Sequence, residues 1–432
     1  MNPSTKRSSP VQYVIIGNSA AGISAAREIR KQDPEGRITM LSDEETYGYS
    51  RVLLPLYMAG KRSKKDLLIA PKTFYTLQTI RLLRGETAVA VNPREQRVYL
   101  QSGKDLAYDR LLVATGSSSK ALDIPGKDLS GVSPLRKVTD AETIKKNLLS
   151  SSGPVLIVGG GLVGVKSLDA LLTKKRKIHL VISSNRILSQ MLDGIASDFF
   201  LRAFERNGVS VRFHTDVKAF QGRERLEGAS LSDGTSLSCD LAIIGKGVRP
   251  NVDCLGGTSI VLNEGVTVDE HMATSLPSVY AAGDVAEPID VIQKRNMGNA
   301  IWPSAVEGGR IAGLNMAGVP ALFSGALRMN SVELLGVKVI SAGNGEGGEQ
   351  VTFIQEERSL YRKLIFSEGR LKGFLLLGDT QCAGVLTSLI KNRTEVTVEA
   401  LEREMERGFS YRPRLYALGG SAQTVELGGM KN

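Results

Sequence analysis

The sequence predicts an α/β protein of two three-layer domains, each built on a parallel sheet, followed by a C-terminal α+β domain. Three observations carry this expectation. Two glycine-rich turns stand about 140 residues apart, each between a run of β-branched apolar residues and a helix-like stretch. Around both, strand-like and helix-like segments alternate, the pattern of a parallel sheet flanked by helices. Beyond about Gly325 the alternation gives way to strands broken by hairpin turns, of which SEGRL at 367–371 is the clearest.

The first turn lies in VQYVIIGNSAAGISAAREI at 11–29, with Gly17, Ser19 and Gly22 at the three small-residue positions and Ala20 and Ala21 between them. Small residues there let the chain turn tightly, approach a pyrophosphate and pack the helix on the strand, while the helix N-terminus offers amides to phosphate. A strand at Tyr13–Ile16, a helix through about Lys31 and a second strand, RITMLS, make one Rossmann-like βαβ unit. That second strand ends at Asp43 and Glu44. Asp43 lies about 21 residues beyond Gly22, where an acid meets a ribose hydroxyl pair. Asp43 or Glu44 is the candidate ribose ligand; a charged turn is the other reading.

From Leu82 to Leu100 short alternating strands suggest a β-meander. Leu111 to Ala114 reads as a buried strand stopping at Thr115 and Gly116. The polar stretch Lys137–Ser152, closed by Gly153 and Pro154, reads as a link. The second turn follows in GPVLIVGGGLVGVKSLDALL at 153–172, with Gly159, Gly161 and Gly164 around Leu162 and Val163. Its βαβ unit spans Val155–Ile182. It continues through GVSVRFHTDV, a hairpin around Asp233 and Gly234, and the strand DLAIIGKGVRPN, whose Gly247 is counted with the second site. The segment PSVYAAGDVAE at 277–287 follows. Val351–Leu377 reads as hairpin-linked strands and Glu399–Arg407 as a charged surface helix. Residues 1–10 and the tail from 419 are expected to be disordered.

Composition narrows the function classes. At 432 residues and 42% hydrophobic the chain can bury several cores. No apolar run reaches the roughly 18–20 residues that span a bilayer, and no signal-peptide core follows the charged start. A cytoplasmic location is the expectation. Cys239, Cys254 and Cys382 are too scattered for a disulfide framework, a zinc site or an iron–sulfur cluster, so no metal is expected. His179, His214 and His271 read as structural. The charge of +10 reads either as a solvated basic surface or as a face for an acidic partner such as a small electron carrier. With 5% aromatics and short basic runs, KRSKK at 61–65 and KKRK at 174–177, nucleic acid is a poor fit.

Four motifs in order, the turn at 17–22, ATG at 114–116, the turn at 159–164 and YAAGD at 280–284, resemble the FAD-dependent pyridine nucleotide-disulfide oxidoreductase-like superfamily over residues 11–320. The resemblance implies that the first turn binds the FAD pyrophosphate. It implies that Ala114, Thr115 and Gly116 approach the same cofactor, and that Asp284, after Gly283, bonds the ribityl chain or phosphate. An N-cap role is the alternative for Asp284. Residues 159–164 would receive NAD(P)H as co-substrate. Trp302, in NAIWPSAVEGGRIAGLNMAG at 299–318, would cover the flavin face or sit in the core. The implied division is 1–122 with 248–322 for FAD, 123–247 for NAD(P)H, 323–418 for the α+β domain and 419–432 for a tail. YGYSRVLLPLYMAG at 47–60 and YRKLIFSEGRLKGFLLLGDT at 361–380 resemble the nitrite reductase, rubredoxin reductase and NADH oxidase branch, whose third domain pairs subunits; a homodimer is expected.

The departures from the family pattern matter as much. Where relatives carry redox thiols, Arg51–Gly60 reads RVLLPLYMAG, so electrons are expected to pass straight from flavin to acceptor. Arg51 would steady the flavin or its phosphates, or form a structural salt bridge. Lys166 stands where the family commonly has glutamate; it is the candidate catalytic residue beside the nicotinamide, or a surface lysine. The strand end LVISSNRIL offers no acid at Ile182, Ser183 or Ser184, so Ser183, Ser184 and Arg186 suit a 2′-phosphate, and Glu at 182 is expected to favour NADH. The expected function is an FAD-dependent NAD(P)H oxidoreductase feeding a small iron–sulfur or rubredoxin-type protein. The alternative is a flavin electron-transfer subunit of a larger redox complex.

Overall fold

The computed structural model describes residues 9–355 and 359–406. The start at 1–8 and the expected tail at 419–432 lie outside the described residues. In chain order come β1 (Gln12–Ile16), α1 (Ala20–Gln32), β2 (Arg37–Ser42), the short α2 (Leu54–Met58) and α3 (Lys72–Leu77), and β3 (Ile80–Arg84). Next are β4 (Ala88–Asn92), β5 (Arg97–Leu100), β6 (Asp105–Ala107), β7 (Arg110–Val113), β8 (Ser117–Ser119) and β9 (Val132–Pro134). After α4 (Val138–Ser150) follow β10 (Val155–Val158), α5 (Leu162–Leu171), β11 (Ile178–Val181), α6 (Gly194–Arg206), β12 (Val209–Arg212) and β13 (Val217–Gln221). Then come β14 (Gly228–Leu231), β15 (Ser236–Ser238), β16 (Leu241–Ile244), β17 (Val248–Pro250), β18 (Val266–Thr267), β19 (Val279–Ala281), β20 (Ala286–Glu287) and α7 (Trp302–Met316).

These elements, apart from the first three residues of α6, form one compact unit, 9–190 with 197–326, around two five-stranded sheets. The first runs β19-β7-β1-β2-β3, so the chain leaves it after β7 and returns at β19. The second, β12-β11-β10-β16-β9, is parallel throughout and is formed by the intervening residues. The two crossings between the sheets pair with each other as the antiparallel ribbon β8–β17. Strands covered on both faces need apolar residues at every position. Accordingly β10 is buried along its whole length, and β1 along all but its first residue. Helices α1 and α7 pack on each other at backbone-to-backbone range, since a Cβ on Gly309 of α7 would fall 2.2 Å from the Ala21 carbonyl oxygen of α1.

Three expectations change. The meander starts at Ala88, not Leu82, because Ile80–Arg84 adds to the free edge of β2 as a parallel strand. The polar stretch from Lys137 is not a link but helix α4. Val138, Ala141 and Ile144 form its buried stripe, and the Asp140 carboxylate accepts the Arg136 and Lys137 amides at 2.8 Å each. Helix α6 adds an element where the sequence pattern predicts none.

The second unit joins Met191–Ala196 to the residues from Leu327 onward. Strands β21 (Met329–Leu334), β22 (Val337–Gly343), β23 (Glu349–Gln355), β24 (Leu360–Ser367) and β25 (Arg370–Leu377) form an antiparallel sheet, order β21-β22-β25-β24-β23, with α8 (Ala383–Lys391) and α9 (Val398–Glu406). The hairpin expected at SEGRL joins β24 to β25, and the charged helix expected at 399–407 is α9. Asp193 is held within this unit by the Tyr361 hydroxyl at 2.6 Å and the Lys363 ammonium at 3.4 Å. Among the described residues no helix is long and apolar enough to cross a membrane.

Candidate functional site

Both glycine turns sit at the C-terminal edge of their sheet's central strand, where open α/β sheets bind ligands. At the first, Gly17 has φ +131°, and a Cβ on Gly22 would lie 2.0 Å from the Gly17 carbonyl oxygen. The turn therefore fixes how α1 meets β1. Ser19 is the N-cap of α1 but makes no side-chain cap bond, so the first amides of the helix point onward without a side-chain partner.

A cleft opens above this turn, lined by Gly17, Asn18, Ser19, Ala20 and Ala21 on one side. Its other walls bring together Asp43, Glu44, Arg51, Ala114, Thr115, Gly116, Gly283, Asp284 and Trp302. Two buried polar atoms in the lining, Asn18 Nδ2 and Thr46 Oγ1, have no hydrogen-bond partner in the protein. The Tyr75 hydroxyl donates to Asn18 Oδ1 at 2.6 Å and so fixes the amide that carries the orphan donor. Buried donors left unpaired by the protein fit a polar ligand such as a pyrophosphate. The residues thus suit the implied FAD.

Asp284 accepts from Arg136 Nη2 and from the Ser117 hydroxyl, each at 2.7 Å, while Arg136 Nε holds the Ser117 carbonyl at 2.9 Å. No helix begins at Asp284, which stands in a turn between β19 and β20, so the N-cap alternative falls. Thr115 Oγ1 donates to the Asn251 carbonyl at 2.7 Å and tethers the β7 end to β17. Trp302 opens α7, half-buried at the cleft.

The two acids after β2 have different surroundings. Asp43 is half-exposed and pairs with Lys137 at 2.6 Å. Glu44 is buried, with Tyr49 donating to Oε2 and Arg51 to Oε1, each at 2.8 Å. Arg51 also reaches the Tyr49 hydroxyl at 2.8 Å and the Arg136 carbonyl at 2.9 Å, and the Val138 amide donates to Tyr49 at 3.0 Å. Burial raises the Tyr49 phenol well above its ordinary pKa; the Arg51 charge pulls the other way and loses. The hydroxyl therefore stays protonated as the hub that ties 44–51 to 136–138.

The second turn repeats the first. Gly159 has φ +111°, and a Cβ on Gly164 would lie 1.9 Å from the Gly159 carbonyl oxygen. A Cβ on Gly161 would meet nothing closer than 4.0 Å, so the protein itself leaves room there beside Leu162 and Val163. Strand register extends the repeat. Ile16 pairs Leu41 and Val113, and Val158 pairs Val181 and Ile244. Stepping past each strand end, Ser183 stands where Asp43 stands, Ser184 matches Glu44, and Gly245-Lys246-Gly247 matches Ala114-Thr115-Gly116.

That register corrects the expectation for residue 182. Ile182 is 2% exposed and packs under the turn, where a Cβ on Gly160 would lie 2.8 Å from its Cδ1. An acid there would be a buried charge rather than a ribose ligand. The exposed position is Ser183, whose hydroxyl accepts from Lys246 Nζ at 3.2 Å; Lys246 is ion-paired with Asp216. Ser184 donates to the Arg186 carbonyl at 2.9 Å, and the Arg186 guanidinium reaches Asn185 and Ser189. Gly247, φ +90°, is exposed. Lys166 lies one turn into α5, 3.4 Å from Asp169, and does not line the first cleft.

No cysteine lines the cleft. All three thiols are buried, and burial is the main cause that pushes them up to about 12 for Cys239, 11 for Cys254 and 12 for Cys382. Sequence reasoning missed Asn18, Tyr49, Ser117, Arg136, Asn251 and Lys246. The internal repeat alone would have singled out Lys246, as the partner of Thr115; the others sit at spacings no motif fixes.

Residues 11–309 match the family model described as "Pyridine nucleotide-disulphide oxidoreductase", and residues 329–394 match the "Rubredoxin NAD+ reductase C-terminal domain". The chain is 30% identical over 392 residues to the NADH-dependent phenylglyoxylate dehydrogenase subunit epsilon of Aromatoleum evansii, covering 89% of this chain and 93% of that one. It is 29% identical over 388 residues to the assimilatory nitrate reductase electron transfer subunit of Bacillus subtilis (strain 168). That match covers 88% of this chain and 49% of the relative, so the chain spans about half of its length. In fold it is similar to the covalent putidaredoxin reductase-putidaredoxin complex, with a TM-score of 0.88 at 24% identity over 95% of this chain and 99% of that chain.

Proposed function

The chain belongs to the pyridine nucleotide-disulphide oxidoreductase family, and from that premise we propose that it is an FAD-dependent NAD(P)H oxidoreductase that passes electrons to a small iron–sulfur or rubredoxin-type protein. The observation that carries the reading is the twofold use of one strand–turn–helix site within a single compact unit, with orphaned donors at the first and no thiol beside it. Bound at the first turn, FAD would accept a hydride from the nicotinamide and release electrons to the carrier. The chain's own residues hold and orient. The amides opening α1 and the Asn18 amide face phosphate, Asp284 offers an acceptor to hydroxyls, and Arg136 fixes that carboxylate.

The proposed division is 1–122 with 248–322 for FAD, 123–247 for NAD(P)H, and 323–418 for the C-terminal α+β domain. The proposed carrier is acidic. Two basic runs come together, since a Cβ on Gly60, next to 61–65, would lie 3.9 Å from Lys174 Nζ, and such a surface steers an anionic partner. We also propose a homodimer working in the cytoplasm, a reading supported by the match of residues 329–394 and by three free thiols. Anaerobic titration tests the central claim: NADH or NADPH should bleach the flavin of the purified chain. A flavin reduced by dithionite but by neither nucleotide would overturn it. The second reading, an electron-transfer subunit, is favoured by the likeness to subunit epsilon over nearly its full length. It predicts that a co-purifying iron–sulfur partner, rather than a nucleotide, sets the rate of flavin reduction.

A further inference from the structure

We propose that Lys246 makes the second turn a site for a dinucleotide bearing a 2′-phosphate, so that NADPH is the better electron donor. The inference rests on the nucleotide site proposed above and assigns the residue that reads the adenosine ribose there. In the sheet order β11-β10-β16, the turn after β10 lies between the ends of its two neighbours. Ser183 follows β11 and Lys246 follows β16, so the 3.2 Å bond from Lys246 Nζ to the Ser183 hydroxyl carries the ammonium across the mouth of the Gly159–Gly164 turn. A dinucleotide held by that turn must pass this ammonium.

The repeat gives the position its meaning. Ser183 stands in register with Asp43, the acid that ends β2 at the first site, and an acid at that strand end selects an unmodified ribose. Here the acid is replaced by a hydroxyl carrying a cation. Lys246 is the register match of Thr115, which lines the first cleft, so the chain end that faces a ligand at one site presents an ammonium at the other. Asp216 and Ser183 hold Lys246 in place, its side chain 23% exposed. Asp216 follows β12, which in the sheet order lies beyond β11 from the turn, and acts as a positioning residue. Ser183, which accepts from Lys246, keeps its own O–H to donate to a phosphate oxygen, and Gly161 leaves the floor open.

The test compares 2′,5′-ADP with 5′-AMP by calorimetry on the full chain, with NADPH and NADH reduction of the flavin measured alongside. Wild type should bind 2′,5′-ADP about tenfold or more tightly than 5′-AMP, the worth of a charge-assisted bond. Lys246→Ala should bring that ratio near one and Lys246→Arg should preserve it, with the NADPH-to-NADH efficiency ratio moving in parallel. A wild-type ratio near one, or equal loss of both ligands in Lys246→Ala, overturns the inference while leaving the nucleotide site standing. Binding of neither ligand, with no reduction by either dinucleotide, removes both.

Discussion

At the first turn the middle position is Ser19, the strand-end acid is Asp43, and the cleft is closed round by Glu44, Tyr49, Arg51 and Arg136 bonded to one another. At the second the middle position is Gly161, the strand end is Ser183, and the groups around it are half-exposed or exposed. The strand–turn–helix between them is the same in both, down to the contact of Gly22 on Gly17 and of Gly164 on Gly159. The shared contacts are those the protein needs for its own packing. On the proposed assignment the divergent ones would face the ligand, enclosing it at the first site and leaving an open edge at the second. That is the difference a resident prosthetic group at the first turn and an exchanging co-substrate at the second, as proposed, would need.

The comparison is broken most sharply at the glycines. Gly22→Ala and Gly164→Ala each drive a methyl into a backbone carbonyl, which a helix docked on its strand cannot yield without shifting. We expect each to cost about 2–3 kcal/mol of stability and Gly22→Ala to empty the flavin site. Gly161→Ala meets nothing within ordinary contact; it should leave thermal stability within about 0.5 kcal/mol and raise the nucleotide dissociation constant. Differential scanning calorimetry with flavin absorbance reads both. Equal destabilisation by all three would erase the distinction between packing and ligand glycines.

A smaller effect is expected at the wall of the first cleft. Asp284→Ala removes the acceptor of both Arg136 and Ser117, leaving a half-buried guanidinium without its carboxylate. Flavin affinity should fall by about 10- to 100-fold, the worth of one or two charge-assisted bonds, with the fold intact by circular dichroism. Asp284→Asn should fall less, because an amide oxygen still accepts from Arg136. Unchanged flavin content after dialysis would remove Asp284 from the site.

What the sequence made legible follows from the same division. The turns, the sheets they organise and the ATG and YAAGD strand ends were readable because their packing demands small or apolar residues at fixed spacing. Helix α4 was missed because its buried stripe is only Val138, Ala141 and Ile144 among polar neighbours, a stripe that tertiary packing against α2 and β16 makes sufficient. Arg136 and Tyr49 were missed for a different reason. Their roles depend on a contact between 44–51 and 136–138 that no local pattern encodes. Ile182 was misplaced by one position, which turns a side chain from the edge into the core because successive strand residues face opposite sides.

The mildest expected effect sharpens the comparison through the sheets alone. In register, His179 on β11 occupies the place that Thr39 holds on β2, since Leu156 pairs the former and Val14 the latter. His179 is buried with Nδ1 unpartnered, and burial first, then the charges of Lys177 and Arg212, lower its pKa. The folded chain thus resists a proton that the unfolded chain accepts near pH 6.5. A group held neutral in this way adds stability above the unfolded pKa and loses it as pH falls below about 6.5, with a slope of at most roughly 1.4 kcal/mol per pH unit for one proton. His179→Gln should flatten the acid side of the stability profile between about pH 6.5 and 5, measured by urea unfolding. Thr39→Gln should leave it unchanged, because the first sheet has no titrating group at that place. An acid slope identical in wild type and His179→Gln would show that the proton is taken up elsewhere in the chain, and that the two sheets differ only at their ligand edges.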